Sequence, residues 1–210
     1  MAELLLYVES SPRKERSYSI KVANEFIKSY LDSHPSSKTD LLDVWTYPLP
    51  EFNGAAINAK YKVMHKEAHT PEEATAWKRI TSIFEQFKSA DKYVFSIPMW
   101  NFGIPYKLKH LIDVINQPSL TFNYSPETSY VGLVTGKPAV VIYSRGGAYS
   151  DAPASDFDFQ KTYFETILGF MGFKDIKSIV IEPTLMGGHE ATEKALRDSC
   201  KQASKMARTF

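Results

Sequence analysis

Ile97-Pro98-Met99-Trp100-Asn101-Phe102-Gly103-Ile104-Pro105 follows the apolar run Tyr93-Val94-Phe95-Ser96-Ile97 and precedes a helical pattern from Lys107 to about Asn116. That order predicts a βα unit, with the loop at the carboxyl end of a buried strand. In open α/β sheets this edge is where ligands bind. The prolines fix their own φ and restrict the residues before them, so the loop is stiff. Between them stand a thioether, an indole, a carboxamide and a phenyl ring. Such a set suits a flat heteroaromatic ligand with hydrogen-bonding groups along one edge. It equally suits a loop whose aromatics cap the core.

The pattern repeats on both sides of this unit. Upstream, Leu4 to Val8 is a short apolar run that fits a strand buried on both faces. A basic loop, Pro12 to Arg16, leads to Ser17-Tyr18-Ser19. A helix opens there, with Ile20, Ala23, Phe26, Ile27 and Tyr30 at helical spacing. Thr39 to Val44 reads as the second strand. In Trp45 to Thr70, Pro48, Pro50, Asn53 and Gly54 argue for loop, with helix allowed only in the later part. Pro71-Glu72-Glu73 is a proline-first, acidic helix start, and the helix runs to about Ala90. Downstream, Thr121-Phe122-Asn123-Tyr124 with Gly132 reads as an excursion shaped like a hairpin. Pro138 to Tyr143 is the fourth strand of the main sheet, Phe157 to Phe170 a helix, Ile176 to Ile181 the fifth strand and Glu190 to Arg208 a closing helix. Alternating strands and helices give a parallel sheet with right-handed crossovers. The expected architecture is a single flavodoxin-like domain over 1–210. It is a three-layer, doubly wound α/β sheet of five strands in the order 2-1-3-4-5.

Composition narrows the function classes. With 43% hydrophobic and 23% charged residues, the chain has the make-up of a globular domain. A net charge of +1 argues against a nucleic-acid-binding stripe and against a strongly acidic electron-carrier surface. The single cysteine, Cys200, cannot form an internal disulfide, which fits a reducing compartment. Glu3 stands where a secretory signal would be basic, and the first apolar run is too short to span a bilayer. A cytoplasmic protein without a membrane or nucleic-acid partner is expected.

Three loops carry the chemistry, after the first, third and fourth strands of the main sheet. In the order 2-1-3-4-5 these strands are neighbours, so their loops meet at the topological switch point. The first loop offers hydroxyls at Ser10, Ser11, Ser17 and Ser19. Ser17 to Ser19 lie at a helix N-terminus, where free N–H groups and the helix dipole favour phosphate; plain N-capping by serine is the alternative. The second loop is the opening stretch. In the third, Ser144-Arg145-Gly146-Gly147, two glycines let the backbone approach a ligand closely. Other readings lack support. No G-x-G-x-x-G follows a strand, and no G-x-S-x-G elbow is present. Gly132 to Pro138 only faintly resembles a phosphate loop, because no hydroxyl follows Lys137. His65 and His69 would share a face if helical, but Lys66 stands where a zinc protease needs glutamate.

Taken in order, Ser10 with Ser17-Tyr18-Ser19, Pro98-Met99-Trp100-Asn101-Phe102, Gly132-Leu133-Val134-Thr135-Gly136-Lys137 and Ser144-Arg145-Gly146-Gly147 resemble the FMN-dependent NADH-azoreductase family, whose members also act as NADH:quinone oxidoreductases. The resemblance covers nearly the whole chain. It implies that Ser10, Ser17, Tyr18 and Ser19 hold the FMN phosphate. It implies further that Met99, Trp100, Asn101 and Phe102 line the isoalloxazine, and that Ser144, Arg145, Gly146 and Gly147 meet its other polar edge. It also implies a ping-pong cycle carrying hydride from NADH through FMN to quinone, azo or nitroaromatic acceptors. No metal and no catalytic side chain are required. A homodimer is implied, with Trp45 to Thr70, Phe122, Tyr124 and Phe170 as candidate interface or pocket walls. Tyr18 and Trp100 depart from the family pattern, which has glutamine and commonly tyrosine there. A non-catalytic flavodoxin-type electron carrier is the competing function class.

Overall fold

A computed structural model describes residues 2–210. Its centre is a five-stranded parallel sheet made of β1 (Leu4–Glu9), β2 (Lys38–Asp43), β3 (Lys92–Pro98), β6 (Ala139–Ser144) and β7 (Ile176–Ile181). The order across the sheet is β2-β1-β3-β6-β7. The expected excursion is a separate antiparallel hairpin, β4 (Phe122–Ser125) with β5 (Ser129–Gly132), and its two strands account for the gap in the numbering. Helices α1 (Tyr18–Ser33) and α6 (Gly188–Ala207) cover one face. The other face takes α3 (Pro71–Ser89), α4 (Tyr106–Ile115) and α5 (Phe159–Met171), with α2 (Gly54–His65) outside α3.

Side-chain alternation along β1 explains the two layers. Leu5 and Tyr7 join Val22, Ala23, Phe26 and Tyr30 of α1, whereas Leu6 and Val8 join Ile80, Phe84 and Phe87 of α3. A strand buried on both faces needs apolar residues at every position, which is why the run lacks polar alternation.

One element departs from the sequence reading. Asn53 and Gly54, read as loop, start α2: the Asn53 side chain accepts from the Ala56 N–H at 3.2 Å. The helix ends at His65 because Lys66 adopts a left-handed φ of 58°. His65 and His69 therefore do not share one helix, and His69 Nε2 lies 3.0 Å from the Ala59 carbonyl oxygen instead.

The start of α3 is a full capping box. Thr70 Oγ1 accepts from the Glu73 N–H at 3.3 Å, and Glu73 Oε2 accepts from the Thr70 N–H at 2.7 Å. Lys62 adds an ion pair at 2.7 Å that ties α2 to α3. The Lys62 pairing, then the Thr70 N–H, holds the Glu73 carboxyl down to about 2, from its usual 4.5. A depressed carboxyl stabilises the fold above its unfolded value and loses that contribution as pH falls. Glu73→Gln is therefore expected to lower the urea midpoint at neutral pH. The deficit against wild type should close between about pH 4.5 and pH 2; a deficit that does not change with pH would mean the carboxylate charge is irrelevant.

Candidate functional site

The three loops meet at the carboxyl edge of β1, β3 and β6. These strands are hydrogen-bonded neighbours, and the ladder extends into the loops. Ser10 N–H donates to the Ser96 carbonyl at 3.2 Å, and Met99 N–H donates to the Ser144 carbonyl at 2.8 Å.

In the first loop, Ser17 is the N-cap residue of α1, yet its side chain makes no capping bond. Its hydroxyl lies 3.1 Å from that of Ser19, and both residues are buried. The N–H groups of Tyr18, Ser19 and Ile20 have no partner among the described residues, and no acidic side chain stands in the first turn. Two hydroxyls beside three free N–H donors at a helix N-terminus form a donor set that fits a phosphate. The Tyr18 ring packs beside Lys21, whose ammonium lies 5.6 Å from its centroid. The Ser10 hydroxyl donates to the Ser96 carbonyl at 2.6 Å, so its proton is already committed.

Lys14 shapes this loop from behind. Its φ is 48°, and its ammonium bridges Glu9 at 2.6 Å and Asp43 at 2.5 Å. Burial alone would lower its pKa, but the hydrogen bonds to Asp43 and Glu9 outweigh it and hold the ammonium above its usual range. The clasp joins the ends of β1 and β2 across the root of the loop. Sequence reasoning treated Pro12 to Arg16 only as a polar stretch. Trp45 was likewise read only as a possible wall. Its indole N–H donates to the Ser10 carbonyl at 3.0 Å, and its ring lies 5.7 Å from Trp100 and 5.4 Å from Tyr106. The signal for it was its position, two residues past a strand, at the same sheet edge as the other loops.

The second loop is a two-residue turn. Trp100 and Gly103 exchange both backbone hydrogen bonds, at 3.0 and 2.9 Å. Asn101 and Phe102 between them have φ of 46° and 68°. Two positive φ values define the tight hairpin turn that asparagine tolerates and phenylalanine resists. Strain of this kind persists at sites that need a particular backbone shape. Met99 and Trp100 are half-buried, whereas Asn101 and Phe102 are exposed. Phe102 packs against Phe157 at 5.4 Å and Tyr149 at 6.2 Å. Beside this turn an apolar groove of about 680 Å³ runs past Ile104, Tyr106, Phe159 and Tyr163.

In the third loop, the Gly146 carbonyl accepts from the Leu185 and Met186 N–H groups at 3.0 and 2.9 Å. With the carbonyl turned away, the Gly146 and Gly147 N–H groups are left without a partner among the described residues. These are donors suited to the acceptor edge of a heterocycle. A Cβ at Gly147 would lie 3.0 Å from Met186 Sδ and 3.2 Å from Tyr149, whereas at Gly146 it would make ordinary contact with Leu185. Ser144 is buried at the strand end. The Arg145 side chain turns into the interior, toward Asp158, Gln160 and Glu182.

The structure thus brings Ser17, Ser19, Met99 to Phe102 and the Gly146-Gly147 turn to one edge. Other features lie elsewhere. The hairpin aromatics Phe122 and Tyr130 pack on Phe170, at 4.8 and 5.4 Å, beside the end of α5. Lys137 donates to the carbonyls of Lys88 (2.8 Å) and Ala90, closing the end of α3, so its ammonium serves a helix terminus. A cavity of about 730 Å³ lies against α3, lined by Tyr47, Leu49, Lys78 and Ile83 among others, away from the three loops.

Comparison with known proteins agrees with this fold. A family described by its flavodoxin-like fold matches residues 4–206. The chain is 56% identical over 181 residues to an FMN-dependent NADH:quinone oxidoreductase of Desulfotalea psychrophila, covering 86% of this chain and 85% of that one. It is 46% identical over 207 residues to a protein of the same description from Nitratidesulfovibrio vulgaris, covering 98% and 99%. Among solved structures, an FMN-dependent NADH-azoreductase from Bacillus anthracis in complex with FMN superposes with a TM-score of 0.84. The two share 28% identity over 98% of this chain and 99% of that one.

Proposed function

Because this chain belongs to the flavodoxin-like family of FMN-dependent NADH:quinone oxidoreductases and NADH-azoreductases, we propose that it binds FMN across the three loops and carries hydride from NADH to quinones and azo compounds. The observation that carries the site is the donor set at one sheet edge. Free N–H groups and paired hydroxyls stand at the start of α1, and a second pair of free N–H groups stands at Gly146-Gly147. The strained aromatic turn lies between them.

Each residue then has a task. Ser17, Ser19 and the first N–H groups of α1 hold the phosphate, with Tyr18 at its flank. Ser10, its proton committed to Ser96, fixes the loop and not the ligand. Met99, Trp100, Asn101 and Phe102 line one side of the flavin ring, and the N–H groups of Gly146 and Gly147 stabilise negative charge at its polar edge as preorganised dipoles. FMN, when bound, supplies the centre that accepts and donates hydride. Donor and acceptor use one face of the site in turn, and water delivers the acceptor's protons. The groove past Ile104, Tyr106 and Phe159 suits flat apolar acceptors, including nitroaromatics.

The protein works as a homodimer in the cytoplasm. Support for the dimer is the aromatic surface of the hairpin, where Tyr124 and Tyr130 are 59% and 60% exposed beside Phe170. Such a patch marks an interaction surface more often than a free one. Support for the compartment is the lone, unpaired cysteine.

The purified protein is expected to show a flavin spectrum that bleaches with NADH under anaerobic conditions and returns with quinone. Steady-state rates should give parallel double-reciprocal lines. An electron carrier would turn over little NADH with a quinone. A colourless protein that FMN does not reconstitute would overturn the reading.

A further inference from the structure

Arg145 is the largest fully buried side chain of the molecule, at 1% exposure. A guanidinium removed from water must be paired on several sides. Here Nη2 donates to Asp158 at 2.6 Å, Nη1 to Glu182 at 3.3 Å and Nε to the Gln160 side-chain oxygen at 3.0 Å. The Tyr143 ring lies 5.8 Å from the guanidinium carbon. The network does not stop there. Gln160 is itself fully buried, and its amide N–H donates to the Ile97 carbonyl at 2.9 Å, at the root of the Met99 to Phe102 turn. Glu182 accepts from the N–H groups of Tyr149 and Ser150 at 2.8 and 3.0 Å, just past the glycine turn.

We propose that Arg145 and Gln160 are positioning residues that set the width of the flavin slot, holding the turn after β3 and the Gly146-Gly147 turn at one fixed separation without touching the ligand. This rests on the reading that FMN lies between those two loops. The geometry favours it because the chain Ile97 carbonyl–Gln160–Arg145 runs from one wall to the other. The Arg145 end is also pinned by its own backbone: Arg145 N–H donates to the Ile181 carbonyl at 3.0 Å, and the Arg145 carbonyl accepts from Thr184 N–H at 2.9 Å. Burial alone requires that these groups be paired, but it does not require that the pairing bridge the two loops. Gln160 is the informative member. It reads Arg145 through its oxygen and Ile97 through its nitrogen, so its two ends can be separated by substitution.

Gln160→Glu keeps an acceptor for Arg145 and loses the donor to Ile97. FMN titration of the stripped protein, followed by flavin fluorescence, is expected to give a dissociation constant about tenfold above wild type, the loss of one well-placed buried hydrogen bond. The apoprotein should melt within a few degrees of wild type. Loss of the fixed separation between the two turns should also weaken the hold on reduced FMN more than on oxidised FMN. A tenfold change in that ratio lowers the midpoint potential by about 30 mV. A new carboxylate would itself lower the potential, so a shift confined to the glutamate variant would come from its charge and would count against the positioning role. Gln160→Leu adds no charge and removes both of the residue's bonds; it is expected to show the same loss of affinity and the same shift of potential, and it carries the test if the glutamate variant does not fold. Wild-type affinity and potential in a folded variant would overturn the positioning role alone. A wild-type apoprotein that takes up no FMN would overturn the slot reading and this assignment together.

Discussion

Replacing Ser17 with aspartate is expected to weaken FMN binding by at least about 100-fold while leaving the apoprotein as stable as wild type or slightly more so. Ser17 is the N-cap residue of α1 and makes no capping bond, so the first-turn N–H groups are free. Aspartate caps a helix as well as serine does, and its charge suits the positive end of the dipole. The fold loses the hydroxyl contact between Ser17 and Ser19 and gains the cap in its place. The phosphate loses twice: the carboxylate takes N–H groups that the phosphate needs, and it repels the dianion. Two unit charges about 4 Å apart at an effective dielectric of about 20 interact by roughly 4 kcal/mol. A ligand that shifts to escape part of this still loses about 2.8 kcal/mol, which is 100-fold. Titrations with FMN and with riboflavin separate this account from a general disturbance. Riboflavin has no phosphate, so its affinity should match wild type in the variant, and FMN should fall to riboflavin's level. Equal losses for both ligands would sink the phosphate assignment, as would FMN binding at wild-type strength.

Why this prediction was within reach of the sequence, and others were not, has a physical cause. Strands buried on both faces announce themselves as apolar runs, and the residues just beyond them must lie at a sheet edge. That places Ser10 to Ser19, Met99 to Phe102 and Ser144 to Gly147 together before any coordinates are known. Helix α2 was hidden because Asn53 and Gly54 act as turn formers and helix starters alike, and because only Ala56 and Ala59 of the helix are buried. A helix with so small an inner face leaves little periodicity to read. The role of Arg145 was illegible for another reason. Its partners lie 13, 15 and 37 residues away, and nothing local distinguishes a guanidinium aimed at a ligand from one aimed at Asp158, Gln160 and Glu182. Backbone strain at Phe102 was equally out of reach, since phenylalanine gives no hint of a positive φ.

Gly132→Ala tests a contact of the same illegible kind, and its expected effect on stability is large. An added Cβ at Gly132 would lie 2.4 Å from the Gly172 nitrogen, 2.5 Å from its Cα and 2.6 Å from the Met171 carbonyl carbon. All three are backbone atoms, so no side chain can swing aside. Gly172 cannot yield easily either: it closes α5 with φ of 116°, and its own Cβ would meet Gly132 and Val134 backbone at 3.0 Å. The hairpin must therefore lift. Lifting strains the Val134 N–H bond to the Met171 carbonyl, now 2.9 Å, and parts Phe122 and Tyr130 from Phe170. Overpacking of this kind costs about 1–3 kcal/mol, and each aromatic pair adds about 0.5–1.5 kcal/mol. A loss of about 3 kcal/mol should lower Tm by roughly 6–12 °C in a chain of this size. The damage lies at the hairpin and the end of α5, and none of the atoms it meets belongs to the three loops. FMN affinity should accordingly stay near wild type, while the dimer dissociates at higher protein concentration. An unchanged Tm would show that β5 and α5 do not approach this closely. A lowered Tm with an unchanged dimer would remove the hairpin from the interface and leave its anchoring role intact.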